Sequence, residues 1–261
     1  MSNAKEAIQL LESGVQEMFN SEKYKDYLKF YSRLHNYSFN NCILIYSQFP
    51  TATAVASYRT WKSMKINVKK GEKGIKVLVP IPYKKETKDG EEEEHLWFKV
   101  GNVFDISQTD GELPKLGKEL TEDSEMLDQL VERLIIESHG TISYDFSLTG
   151  ETTNGYCNSE GIKLRPGMSS LQTFKTLMHE KAHSILHVGK QVDKRTAELE
   201  AESTAFVVCS MMGFNTEEYS FGYVVGWAQD KSVTGLYKSL TVIEKTSREI
   251  LDWVEAAEKA A

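Results

Sequence analysis

The stretch TLMHEKAHSILH, residues 176–187, places three histidines and a glutamate inside a run whose apolar residues return every three or four positions. Leu171, Phe174, Leu177, Met178, Ala182, Ile185 and Leu186 fall on one helical face. Ser169 followed by Gln172 reads as a capping box and Gly189 as a stop, so the spacing predicts a helix over residues 170–188. On that helix His179 and His183 are four residues apart and share a face, so their imidazoles can converge on one metal ion. Glu180 is one position round from His179, badly placed to ligate the same ion but able to reach a water beside it. His187 lies roughly 12 Å further along the axis than His179, at about 1.5 Å per residue, and cannot share that ion. No glycine turn follows His183, so a third ligand has to come from another segment.

A second helix supplies acids. DKRTAELEAESTAFVVCSMMGF, residues 193–214, opens on a potential N-cap, Asp193, and closes on Gly213. Glu198 and Glu202 are four residues apart and face the same way. One of them can bind zinc while the other orients a ligating histidine through its second ring nitrogen. Ala205, Phe206 and Cys209 carry this side into the core, where an unpartnered carboxylate is costly. Glu200 points elsewhere and reads as part of a solvated acidic face. An H-E-x-x-H string alone arises by chance, and a histidine pair on a helix is often structural; the acid pair is what favours a metal site.

H-E-x-x-H followed by E-x-x-A-E on a second helix resembles the gluzincins in their short, ImmA-like form. The resemblance implies Zn2+ on His179, His183 and Glu198, Glu180 as the general base, and Glu202 as support for a histidine. Glu202 departs from the Asp or Asn of many relatives, and the longer acid can itself reach a metal, so Glu198 and Glu202 both stay in play as the third ligand. Tyr219 and Tyr223, in EYSFGY, are candidates for an oxyanion stabiliser.

Composition sets bounds on the rest. The chain has 261 residues, 40% hydrophobic and 26% charged, an ordinary balance for one large or two modest domains. Its three cysteines, Cys42, Cys157 and Cys209, show no paired spacing, which suggests a reducing compartment. Cys157 sits in the expected turn TNGYCNSEG, where a cysteine can approach the metal. No signal segment and no long apolar run is visible, so a cytoplasmic protein with no membrane partner is expected. A net charge of −7 argues against a general nucleic-acid binder.

The pattern along the chain predicts an α+β protein with two domains: residues 1–110, a linker at 111–122, and residues 123–261. The first is expected to be helical with a β-hairpin, the second a minimal gluzincin-like zincin. Helices are read at EAIQLLESGVQEMF, EKYKDYLKFYSRL and SFNNCILIYSQF, then strands and a hairpin in INVKKGEKGIKVLVPIPYKK and HLWFKVGNVFDI. In the second domain a helix over 124–138 precedes the strand TISYDFS and a hairpin ending in GIKLRP. The two metal helices, a connector TEEYSFGYVVGWAQD and a final helix over 233–258 follow. By analogy with zincins, GIKLRP is expected to be the sheet edge along which an extended peptide lies.

The charge is uneven. From Arg59 to Lys76 there are seven basic side chains and one acidic, Glu72, a local +6 inside an acidic chain. Phe39, Tyr46, Tyr58 and Trp61 lie close by in sequence. Cations on a hairpin beside aromatic faces suit single-stranded nucleic acid. The candidates are Arg59, Lys62, Lys69, Lys70 and Lys73 for phosphates, with aromatics such as Trp61 and Tyr58 for stacking; a merely soluble lysine-rich hairpin and a core Trp61 are the alternative.

Residues 36–80, NYSFNNCILIYSQFPTATAVASYRTWKSMKINVKKGEKGIKVLVP, resemble the N-terminal domain of ArdC-type antirestriction proteins of plasmids and transposons. Tyr37-Ser38-Phe39-Asn40-Asn41, Trp61 and Gly71-Glu72-Lys73-Gly74 carry the match, VFDISQT fits its end, and EAESTAFVVCSMMGF and YSFGYVVGW resemble C-terminal segments. The resemblance implies a single-stranded-DNA-binding domain joined to a zinc-peptidase-like domain, with a protein or peptide as the second partner. Two other readings compete: an intracellular zinc metallopeptidase cleaving a regulatory protein, its N-terminal domain recognising protein, and a DNA-binding module whose zinc only stabilises the fold.

Overall fold

In a computed structural model of the chain, residues 2–86, 92–112, 125–149, 153–214, 216 and 233–259 are described. Residues 87–91 of the acidic turn, 113–124 across the expected linker, and 217–232 of the expected connector, with Tyr219 and Tyr223, lie outside the described residues. The chain is α+β and divides into two compact units, Met1–Met18 with Arg33–Lys115, and Phe19–Ser32 with Leu116–Ala261. Helix α1 (Ser2–Glu17) belongs to the first unit, and α2 (Ser21–Arg33), up to Ser32, to the second. The sequence reading keeps α2 in the first domain. It joins the second unit because its Tyr24, Tyr27, Leu28 and Tyr31, spaced as one helical face, and Phe30 are all fully buried there.

In the first unit α3 (Phe39–Gln48), β1 (Val55–Ser57), α4 (Tyr58–Ser63), β2 (Ile75–Glu86) and β3 (Glu92–Asp105) follow, then a 3-10 turn at Ile106–Gln108. The sheet order is β1-β3-β2, antiparallel throughout, with Val55 opposite Asp105, and Ile75 opposite Val103. The Tyr37–Asn41 signature is explained by fastenings. The Tyr37 hydroxyl donates to the Val55 carbonyl at 3.0 Å, Ser38 caps α3, and Phe39 is buried. Asn41 bonds both backbone groups of Leu78, at 2.7 and 2.9 Å, and Gln48 bonds both of Lys76, at 2.9 Å each. These two amides act as a substitute strand along the outer edge of β2. Further along that edge, Pro80 and Pro82 have no N–H to offer, so strand addition is disfavoured from Lys76 to Pro82.

In the second unit α5 (Glu125–Glu137) precedes β4 (Ile142–Tyr144), β5 (Gly155–Asn158) and β6 (Gly161–Leu164). The helices α6 (Ser170–Leu186), α7 (Lys194–Met211) and α8 (Val233–Lys259) follow among the described residues. The sheet order is β4-β6-β5, with β4 parallel and β5 antiparallel to β6. This corrects the expected edge: GIKLRP supplies the central strand, paired on both sides, and among the described residues β5, beside α6, is an edge strand. The β5–β6 turn needs Gly161, at φ +133°, where a Cβ would collide with the Thr141 carbonyl. Among the described residues no helix is long and apolar enough to cross a membrane.

Candidate metal centre and nucleic-acid interface

Helix α6 starts as the sequence implies, with Ser169 accepting from the Gln172 N–H. The capping box is not reciprocal, because the Gln172 side chain turns to Thr176 instead. Asp193 caps α7, accepting from the Thr196 N–H at 3.1 Å and its hydroxyl at 2.7 Å. The two helices pack on each other and bring three atoms together. His179 Nε2 and His183 Nε2 are 3.1 Å apart, and Glu198 Oε2 lies 3.7 and 3.8 Å from them. Tetrahedral ligands about 2.0–2.1 Å from a zinc ion stand roughly 3.3 Å apart, so this triangle is close to the size such an ion needs.

Hydrogen bonding on the far side of each ring fixes what those nitrogens are. His179 Nδ1 is 3.0 Å from Glu202 Oε2 and donates its proton there, which in the neutral ring leaves a lone pair on Nε2. His183 Nδ1 is 2.8 Å from His187 Nδ1, and His187 Nε2 is 3.1 Å from Glu200 Oε2. A carboxylate only accepts, so His187 carries its proton on Nε2 and accepts on Nδ1. His183 is then the Nδ1–H tautomer and its Nε2 is a lone pair as well. Two facing lone pairs and a carboxylate repel one another unless a cation lies between them; the donor set fits a divalent ion.

Electrostatics follow the same pattern. Burial opposes charging the His179 ring, but the hydrogen bond to Glu202, its charge, and the nearby Glu180 and Glu198 carboxylates hold its pKa above the usual histidine value. When the His183 ring is charged, a hydrogen bond from it and its charge hold the Glu198 carboxyl below its usual range. Burial pushes Glu180 up, although His179, His183 and a hydrogen bond from the Cys157 thiol offset part of the effect. Burial and the Glu180 charge push that thiol up to about 12. Cys157 therefore meets the acid beside the histidines, and it is outside the group of atoms that can share one ion. Close packing here depends on Gly155, where a Cβ would come within 2.9 Å of both the Lys163 carbonyl and Thr176 Cγ2.

Glu202 lies behind His179, not among the converging atoms. Glu200 corrects the sequence reading. It is 9% exposed rather than solvated, and it bonds His187 and accepts from Ser239 Oγ at 2.7 Å. The missed signal is in the composition of α7, whose residues from Ser203 to Cys209 are small or apolar all round and are all buried. From Ser203 to Cys209 the helix has no solvent-facing side, and Glu200 stands one turn before that stretch.

In the first unit the expected cations are not on a hairpin. Arg59 and Lys62 lie on α4, and Lys69, Lys70 and Lys73 on the irregular loop before β2; all five are exposed. The loop is fastened to the segment after β3. Val68 bridges to Thr109, the Lys69 N–H donates to the Gln108 carbonyl, and the buried Gln108 amide donates to the Lys73 carbonyl and to Glu72 Oε2. Asp110 is held below the usual carboxylate range by hydrogen bonds from the Asn67 backbone and side chain. Glu72 and Asp110 thus accept from neutral amides, the Lys69 ammonium donates to the Ser107 carbonyl at 3.0 Å and adds to the lowering of Asp110, and Arg59, Lys62, Lys70 and Lys73 are exposed.

Trp61 is the correction here. It is 3% exposed, and its Nε1–H donates to the Phe104 carbonyl at 2.9 Å, so it is a core residue and presents no face to a base. Trp61→Ala is expected to cost about 3–5 kcal/mol in urea unfolding. Tyr58→Ala, at 54% exposure, is expected to stay within about 0.5 kcal/mol of the parent. Equal losses in the two variants would refute the distinction. The sequence reading missed Tyr83, Trp97 and Phe98 of the long hairpin, all exposed.

Residues 4–104 match the family model for the N-terminal domain of anti-restriction factor ArdC. This N-terminal segment is of the ArdC domain type. An uncharacterized Bacillus anthracis protein, pXO2-81, is 27% identical over 96% of this chain and 51% of its own length. The chain thus spans about half the length of that curated relative. The antirestriction ArdC protein from the R388 plasmid, in its metal-free crystal structure, matches 85% of each chain with a TM-score of 0.57 and 22% identity. Its Mn(II)-bound crystal structure gives a TM-score of 0.56 at 20% identity, over 85% of this chain and 84% of that one. The likeness establishes the shared α+β fold.

Proposed function

We propose that this ArdC-type chain is an antirestriction protein of mobile elements that binds single-stranded DNA through its first unit and carries a zinc metallopeptidase centre of the gluzincin, ImmA-like kind in its second. The observation that carries the metal half is the facing pair of Nε2 lone pairs on His179 and His183, 3.1 Å apart, with Glu198 Oε2 beside both. Two imidazoles and one carboxylate favour zinc over harder ions and leave a position for a reacting group. A zinc ion held there supplies Lewis acidity towards a carbonyl and a water. Glu180, on the turn of α6 that carries His179, takes the proton of the attacking water and delivers it to the leaving nitrogen. Glu202 orients His179 through Nδ1. As an edge strand among the described residues, β5 offers backbone groups to an extended peptide next to Glu180. A cytoplasmic site of action belongs to this reading, since three cysteines without paired spacing suit a reducing compartment.

The DNA half rests on the exposed cations Arg59, Lys62, Lys69, Lys70 and Lys73 around a loop held in shape by Gln108. Tyr58, Tyr83, Trp97 and Phe98 are the exposed aromatics of this unit that can stack on bases, in place of Trp61. Titrating the full chain with a fluorescent oligonucleotide across a salt series tests it. Affinity for single strands is expected to fall by about 0.7 log unit per log unit of salt for each phosphate neutralised. Lys70→Ala should reduce that slope by about one such step and leave sequence preference unchanged. If the full chain shows no salt-sensitive binding at low ionic strength, the DNA half fails and the peptidase that recognises protein becomes the better account.

A further inference from the structure

Behind His183 lies an ordered chain of groups that runs through three helices. His183 Nδ1 and His187 Nδ1 are 2.8 Å apart on α6. His187 Nε2 meets Glu200 Oε2 of α7 at 3.1 Å, and Glu200 Oε1 accepts from Ser239 Oγ of α8 at 2.7 Å. The side chains of His187 and Glu200 are only 10% and 12% exposed, and Ser239 is buried. Water therefore does not readily replace these partners, and each proton has one consistent place. The direction is set at Glu200, the only member that cannot donate. Its two oxygens accept from Ser239 and from His187, which makes His187 Nδ1 an acceptor and His183 Nδ1 a donor.

We propose that His187 and Glu200 are positioning residues that hold His183 in the Nδ1–H tautomer and in the ring orientation that presents its Nε2 lone pair to the metal. The inference rests on the metal-centre reading above. The two liganding histidines are then oriented by different devices, His179 by one carboxylate and His183 by a histidine–carboxylate pair anchored to α8. Without the acceptor on His187, the His183 ring can carry its proton on Nε2, and that tautomer has no lone pair facing His179 and Glu198.

The test has two readouts. Long-range proton–nitrogen NMR of the metal-free full chain, at a pH where the imidazoles are neutral, reports the tautomer of His183 directly. Protonated Nδ1 with unprotonated Nε2 is expected in the parent. In His187→Leu, which keeps apolar bulk and removes the acceptor, that preference should be lost and the affinity for Zn2+ should fall about 10–100-fold. His187→Gln, whose amide carries one acceptor and one donor, should recover affinity relative to the Leu variant. Circular dichroism of each variant checks that the fold is kept. An Nε2–H tautomer of His183 in the parent overturns the inference, and so does parental affinity in a folded His187→Leu. Should the parent bind no Zn2+, the metal-centre reading fails, while the NMR result still decides the tautomer; if His187→Leu does not fold, the parent spectrum decides it alone.

Discussion

Exchanging His183 for alanine lowers the affinity for Zn2+ by more than about a hundredfold. Loss of a partner behind a liganding histidine costs about 10–100-fold, and loss of the ligand itself exceeds that. His179→Ala behaves alike, since its Nε2 faces the same point. The acids separate the two possible third ligands. Glu198 Oε2 lies 3.7 and 3.8 Å from the two Nε2 atoms, whereas Glu202 Oε2 lies 3.0 Å from the opposite nitrogen of His179. Glu198→Gln should therefore weaken binding more than Glu202→Gln, whose loss should fall within about 10–100-fold. Calorimetric titration of metal-free protein measures all four, with circular dichroism as the control for folding. Parental affinity in both histidine variants would remove the metal centre; a larger loss in Glu202→Gln than in Glu198→Gln would exchange the roles of the acids.

Much of this site was legible because helical spacing is a strict geometric rule. Four residues between His179 and His183, and four between Glu198 and Glu202, set which side chains share a face before any tertiary contact is known. The caps at Ser169 and Asp193 were legible for the same reason, since an N-cap acts within its own turn. What periodicity did not report was which faces are covered. Glu200 stands away from Glu198 and Glu202, and solvent was the natural assignment for that side until α8 brought Ser239 against it. His187 stands too far along α6 to share an ion with His179, and its proposed part, accepting the proton of His183, depends on Glu200 across the helix pair.

The first unit shows the same limit in another form. Tyr37, Ser38, Asn41, Trp61 and the Asp105–Thr109 segment make the family pattern recognisable, and each acts as a fastening: a hydroxyl on Val55, a cap, an amide pair on Leu78, an indole on Phe104, and a clamp on the basic loop. Recognisable residues here are those that hold shape. The exposed lysines form no such fixed pattern, because a phosphate contact needs charge at a surface more than a set geometry. Proximity in sequence placed Trp61 among the cations, but α4 turns its indole inward while Arg59 and Lys62 stay outside.

Glu180→Gln is expected to keep Zn2+ and lose about 10²–10⁴-fold of any peptide hydrolysis, the usual contribution of a positioned general base. Glutamine keeps the size and removes the basic oxygen, while His179, His183 and Glu198 are untouched. Stability should move the other way. Burial raises the Glu180 pKa above its unfolded value. The folded chain therefore holds that proton more tightly than the unfolded chain, and the stability so gained is present at acid pH and lost as pH rises through the folded pKa. At neutral pH the ionised carboxylate is a burden on the metal-free fold, and glutamine removes it. Metal-free Glu180→Gln should melt at or above the parental temperature near pH 7, with the difference vanishing towards acid pH. A residue that lowers stability while serving chemistry is what an active site maintains. Turnover of an unstructured fluorogenic peptide mixture, zinc content and thermal melts on one preparation give the three readings. Undiminished turnover in a zinc-loaded variant rules out Glu180 as the base, and a variant that melts well below the parent at neutral pH shows the carboxylate to be a structural support.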